Sequence, residues 1–123
     1  MGGATNAGDH LRAFTAEVLR EASANVEEVV PVVLAVVGGI LCAAEAGSVS
    51  LQPTDDGAGS VLWASFGGTP MAFRFNPMTA MIELRAGTLK GHPARQFGRR
   101  SLPMDILNFF GPDRSAMKAR SGS

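Results

Sequence analysis

The sequence predicts one α+β domain, with two N-terminal helices and a short C-terminal helix packed on one face of an antiparallel meander sheet of four or five strands. Three observations carry that expectation. Apolar residues recur at intervals of three and four up to about residue 46, they alternate at two from about residue 49 to residue 85, and the stretch SLPMDILNFFG closes the pattern. A chain of 123 residues fits a single modest core, and 46% hydrophobic against 18% charged residues lies inside the globular range.

The first helix is expected from Asp9, where Leu11, Phe14, Val18, Leu19 and Ala22 form a stripe and Arg12, Glu17, Arg20 and Glu21 lie off it. Residues 1–8, MGGATNAG, are small and flexible in composition and are expected to fray. In SANVEEVV, Ser23 or Asn25 serves as N-cap with Glu27 or Glu28 in the first turn, and the second helix then runs to about Ala46, before Gly47. Pro31 suits a first turn if the helix proper begins near Val30, and kinks a helix begun earlier.

The uncharged run 29–44 is sixteen residues, short of the roughly 20 that cross a bilayer, so it reads as the buried central helix and implies no membrane partner. No basic segment precedes an apolar one at the N-terminus, and Asn6 stands where a myristoylation pattern wants Ser or Thr. The single cysteine, Cys42 in ILCAAEAG, cannot form an internal disulfide. It is expected to be a small buried hydrophobe in a reducing, cytoplasmic setting.

Strand alternation begins with Val49 and Leu51, passes the turn-rich PTDDGAGS, and continues through SVLWASFGGTPMAFRFN. Asp55 and Asp56 there read as an ordinary turn, because the further oxygen ligands of a calcium loop are missing. With Gly67 and Gly68 as a two-residue turn, Phe66 faces Thr69, Ala64 faces Met71 and Leu62 faces Phe73. With Pro77 and Met78 as the next loop, Phe75 faces Ala80, Phe73 faces Ile82 and Met71 faces Leu84. One face then collects Leu62, Phe66, Phe73, Phe75, Ile82 and Leu84 and packs on the helices.

The opposite face carries Val61, Trp63, Ser65, Ala72, Arg74, Met81, Glu83 and Arg85, half of them apolar. A solvated antiparallel face alternates to polar, so something is expected to cover this one. Three coverings stay open: the C-terminal segment folding back, a second copy of the chain, and a small molecule or foreign protein. Val61, Trp63, Ala72, Arg74 and Met81 are therefore the candidate interface or ligand-binding residues. A homodimer is the favoured reading, because Trp, Met and Arg are enriched at interface centres.

Toward the C-terminus a short strand is expected at 94–97. Ser101 or Leu102 then precedes Pro103 at the start of a closing helix, which Gly111 and Pro112 stop. The domain spans 9–112, and the polar residues 113–123 form a mobile tail.

Charge is unevenly spread. Residues 1–84 hold three basic and nine acidic side chains, 3 − 9 = −6, and residues 85–123 hold eight and two, 8 − 2 = +6. Lys90, His92, Arg95, Arg99 and Arg100 lie in a stretch without carboxylates and are the phosphate-binding candidates, with Phe97 available to stack on a base. A sequence pI near 6.7 argues against nucleic acid as the partner, since such binders are basic as whole domains. The nucleotide, zinc-protease, esterase and redox motifs GxxxxGK[ST], GxGxxG, HExxH, GxSxG and CxxC are absent. His10 precedes a helix and His92 lies in a loop, far apart in sequence, so neither has a catalytic companion. No cofactor, metal or catalytic residue is expected.

The stretch GTPMAFRFNPMTAMIELRAG, and with it roughly residues 60–111, resembles small proteins carried on bacterial mobile gene cassettes of the integron type. The resemblance rests on the strand, NPMT turn and strand pattern. It implies an α+β fold and an accessory role, and carries over no catalytic residue. Function is expected to be non-enzymatic binding with self-association through the Trp63 face. The alternatives are a small-molecule pocket between sheet and helices, lined by Trp63, Met71, Phe73 and Met81, and phosphate binding by the basic stretch.

Overall fold

The Asn6 side-chain oxygen accepts the Asp9 N–H at 2.9 Å, and this cap starts α1 (Ala7–Ala22) two residues earlier than the apolar spacing suggests. The computed structural model describes residues 6–54, 59–88 and 92–111. Leu11, Phe14, Val18 and Ala22 are the buried residues of α1. Ser23, at φ 52°, interrupts the helix, and a 3-10 turn over Ser23–Asn25 leads into α2 (Val26–Ala43). The chain reverses there, since Val37 and Leu41 of α2 lie beside Gly8 and Arg12 of α1. Asn25 holds the N-cap position of α2 without a side-chain hydrogen bond. Pro31 falls in the second turn, exposed, so its missing N–H leaves a carbonyl of the first turn facing water.

Helix α2 stops at Ala43 rather than Ala46 because the sheet draws the chain away. The Glu45 N–H donates to the Ser65 carbonyl at 2.8 Å. Ser48 Oγ donates to the Glu45 carbonyl and accepts the Ser65 N–H. Cys42 is exposed on the outward side of α2, not buried, because Val36, Gly39, Ile40 and Ala43 form the inward side at this level.

Five strands follow in chain order, each antiparallel to the last: β1 (Ser50–Pro53), β2 (Ser60–Phe66), β3 (Thr69–Asn76), β4 (Met81–Ala86) and β5 (Arg95–Phe97). Gly67 and Gly68 have φ of 59° and 86°, the left-handed pair of a type I′ turn, and the register pairs Leu62 with Phe73 and Phe66 with Thr69 as expected. The next loop has four residues rather than two. Asn76 accounts for it: its carbonyl accepts the Thr79 and Ala80 N–H groups and its side chain accepts the Met78 N–H. Phe75 therefore pairs with Ile82, Phe73 with Leu84 and Met71 with Ala86. A slide of two residues changes the partners and keeps every side chain on its face.

Leu62, Phe73, Ile82 and Leu84 meet Phe14, Val18, Val33, Val36 and Ile40 in one buried core. The last helix, α3 (Pro103–Phe109), begins with Pro103 after Leu102 and packs on α2. Phe110 closes the corner, its ring 5.6 Å from Phe66, 6.0 Å from Phe73 and 5.1 Å from Phe109 between centroids. The closing segment thus lies on the helical side of the sheet. It does not fold back over the outer face, which corrects the first of the three coverings for residues up to Gly111. The turn at 55–58 and the tail 112–123 lie outside the described residues.

Gly39 admits Phe110: a Cβ at residue 39 would stand 2.2 Å from Phe110 Cδ2, whereas one at Gly38 meets only Leu107, at 4.0 Å. Gly39→Ala is expected to cost about 1–3 kcal/mol through overpacking, and Gly38→Ala to stabilise by up to about 1 kcal/mol through helix propensity. Urea unfolding of the two variants checks this, and equal effects would contradict the close approach.

Candidate functional site

Because Leu62 and Ala64 belong to the core, the intervening Trp63 points to the other side of the sheet. Cross-strand pairing then lines up Ser50, Trp63, Ala72 and Arg85 in one row, while Arg74 pairs with Glu83 in the next. Val61 and Ala72 are buried at 2% and 1% exposure, yet neither belongs to the core cluster between helices and sheet. Trp63 stands across from Ala72, and Arg74, Glu83 and Arg85 are all half-buried there. Val61, Trp63, Ala72 and Arg74 are contiguous.

Met81 is separate from this group. It lies over Gly98, where a Cβ would stand 2.9 Å from Met81 Cγ, and it lines a surface cleft of about 420 Å³ with Asn25, Glu28, Thr79, Arg99 and Arg100. The outer face is therefore an aromatic patch around Trp63, with Met81 displaced toward the β4–β5 edge.

Glu83 is the polar hub of this face. Burial opposes its ionisation, but hydrogen bonds from Asn76 and Arg85, and the charges of Arg85 and Arg74, outweigh it and hold the carboxyl below its ordinary value. The Arg85 guanidinium donates at 2.8 Å and the Asn76 amide at 3.0 Å. The Glu83 side chain is only 12% exposed, so these contacts are better shielded than a surface pair.

Among the basic candidates, Arg99 and Arg100 line one cleft, and Arg95 is not among its lining residues. Lys90 lies outside the described residues, and His92 is exposed. Arg95 stacks over the Phe109 ring at 5.0 Å, and Arg99 pairs with Glu28 at 3.2 Å. Arg100 is exposed at the cleft, where Glu28 also stands and opposes a phosphate.

The pocket expected between sheet and helices does not form as drawn. Trp63 sits on the outer face, Met71 and Phe73 on the inner one, and Met81 at the start of β4 in the cleft with Asn25 and Glu28, so the four cannot line one cavity. At Phe14 and Phe75 the space between the layers is a gap of about 10 Å³, room for one water. Among the described residues no group of three or more His, Cys, Asp or Glu side chains could hold a metal ion.

Two features escaped sequence reasoning. Glu17 reaches β2, accepting the Ser60 N–H at 2.8 Å, and neighbouring Glu21 has its carboxyl pushed up by burial and by the Glu17 charge. Leu34 and Leu41 of α2 are 55% and 61% exposed, on a helix expected to be buried all round. The signal for them was available as a spacing of seven residues.

A folded-state carboxyl held low contributes stability above the unfolded value near 4.5 and loses it as the pH falls through the lower, folded value. Glu83→Gln is expected to lower stability at pH 7 by about 1–2 kcal/mol. The difference from wild type should shrink in urea titrations below pH 4.5, and a pH-independent difference would contradict the assignment.

A family model described as "Integron cassette protein VCH_CASS1 chain" matches residues 11–107. No curated protein matches the chain. The match runs from Leu11, the first buried residue of α1, to Leu107 in α3, and so takes in the helical hairpin, all five strands and most of the closing helix. On that coverage, and on the α+β architecture just described, the chain belongs to the integron cassette protein VCH_CASS1 family.

Proposed function

We propose that this is a non-enzymatic accessory protein of the cytoplasm that acts through protein contacts and self-associates through the outer sheet face. The observation that supports this most is the position of Trp63. The one tryptophan of the chain is half-buried on the sheet face opposite the helical core, next to Ala72 and Val61, which are already dry. A partner that excludes water from the indole gains a large apolar contact with little ordering of side chains. Arg74, Glu83 and Arg85 supply a rim whose hydrogen-bonded geometry is set before contact. The family carries an accessory role by resemblance, and the titratable groups beside the Trp63 patch, Glu83 with Arg85 and Arg74, are engaged with one another, which favours binding over catalysis.

Trp63 is also the reporter. With no tyrosine in the chain, intrinsic emission comes from this indole above a weak phenylalanine background. Dilution of wild-type protein is expected to shift its emission to longer wavelength as copies separate, and Trp63→Arg to lower the solution mass by light scattering. Emission unchanged over the dilution series, with equal masses for wild type and variant, would remove the proposal.

A further inference from the structure

Three corners from distant parts of the chain wall the cleft beside Met81, and two of them are tight turns closed by hydrogen bonds. In the first, the Asn76 carbonyl accepts the Thr79 and Ala80 N–H groups, while the Asn76 side chain is tied both to the Met78 N–H and to Glu83. Ala80 completes that corner at φ 58°, uncommon for a residue with a side chain. In the second, the Ser101 N–H donates to the Gly98 carbonyl at 2.8 Å and Ser101 Oγ accepts the Gly98 N–H at 3.1 Å, so Arg99 and Arg100 hold the two central positions of a closed turn. Gly98 has no side chain, and Met81 lies flush against it. The third corner is the start of α2, with Asn25 and Glu28.

The cleft combines opposite charges with apolar surface. Two guanidinium groups, one carboxylate and the side chains of Met78, Ala80 and Met81 share a space of about 420 Å³. Arg99 engages Oε2 of Glu28 at 3.2 Å, whereas Arg100 pairs with no carboxylate among the described residues. With side chains 65% and 44% exposed, Arg99 and Glu28 remain open to a ligand, and Glu28 keeps Oε1 as an acceptor.

We propose that this cleft binds a free α-amino acid with an apolar side chain, held by both of its charged groups. A plain anion at the arginines meets the repulsion of Glu28, and a plain cation at Glu28 meets that of Arg99 and Arg100. An α-amino acid carries an ammonium and a carboxylate on one carbon, so it extends the existing ion pair instead of competing with it. The ammonium donates to Glu28 Oε1, and the carboxylate accepts from Arg100, whose planar fork suits that group. Charges then alternate around the site. The hydrocarbon side chain lies against Ala80 and the thioethers of Met78 and Met81, which adapt to apolar shapes, and Met78, 92% exposed, has the most water to lose. None of these residues belongs to the row of Ser50, Trp63, Ala72 and Arg85, so the site is tested separately from self-association.

The test is a titration of the isotope-labelled full chain with L-leucine, followed by amide chemical shifts. Shifts concentrated at Thr79, Ala80, Arg99 and Arg100 are expected, with a dissociation constant of about 1 mM or tighter. Isocaproate, which lacks the ammonium, and isoamylamine, which lacks the carboxylate, should each bind about tenfold more weakly or worse. Glu28→Gln and Arg100→Gln should each weaken L-leucine about tenfold with an unchanged far-ultraviolet spectrum, since both side chains are exposed, and Arg12→Gln on α1 should leave binding as it is. Absence of shifts at the cleft up to about 20 mM L-leucine overturns the proposal. So does isocaproate or inorganic phosphate binding as tightly as L-leucine, which would make the cleft a site for plain anions, and so does L-leucine binding indifferent to Glu28→Gln.

Discussion

The parity of the β2–β3 hairpin decides what this molecule shows to its surroundings. Successive side chains of a strand point to opposite faces, so a turn one residue longer or shorter would put Leu62 and Phe73 on opposite faces and, with Phe73 kept in the core, would send Trp63 inward and Leu62 out. Two glycines in the left-handed region hold the turn at two residues, and the register that follows places three consecutive β2 residues unambiguously: Leu62 inside, Trp63 outside, Ala64 inside. The longer β3–β4 loop shifts partners by an even number and leaves this division untouched. The outward direction of Trp63 follows from that one turn.

A second constraint fixes the helical layer. Phe110 is wedged among Phe66, Phe73 and Phe97, and it reaches them by resting on α2 at Gly39, where any side chain would collide with the ring. That contact sets the rotation of α2 about its axis. With Gly39, Val36 and Ile40 turned inward, the heptad positions Leu34 and Leu41 must turn outward. The same packing that seals the core therefore leaves an apolar seam on one side of the molecule, while the sheet leaves an aromatic patch on the other. Two distinct outward faces arise from one interior. The ionisable groups nearby are spent on structure, Glu83 on Arg85 and Asn76, and Glu17 on the β2 backbone.

Much of this was legible in the residues. Periodicity gave the helices and strands, GG gave the hairpin, Pro103 marked the last helix, and the inner-face set of Leu62, Phe66, Phe73, Phe75, Ile82 and Leu84 is buried as alternation requires. The strand, NPMT turn and strand pattern pointed to the integron cassette proteins, and the family match bears that out. The failures have physical causes. The length of the NPMT turn depends on Asn76 bonding three N–H groups, a local competition that a dipeptide pattern does not reveal. The end of α2 depends on Ser65, distant in sequence. Cys42 was misplaced because a helix apolar on all sides does not say which side is inside; that is settled by the contact with Phe110. The partners of the basic residues are likewise tertiary, since Phe109 and Glu28 approach Arg95 and Arg99 only in the folded chain, and nothing in the sequence pattern shows them.

The most direct examination of the account is a set of nuclear Overhauser contacts from the Trp63 indole protons in dilute, isotope-labelled protein. Contacts to the Ala72 methyl and to Arg85, in the row that pairing defines, are the predicted result. Contacts instead to the methyls of Val33, Val36 or Ile40 would place the ring beneath the helices, invert the sheet, and contradict the division of surfaces on which the functional reading stands.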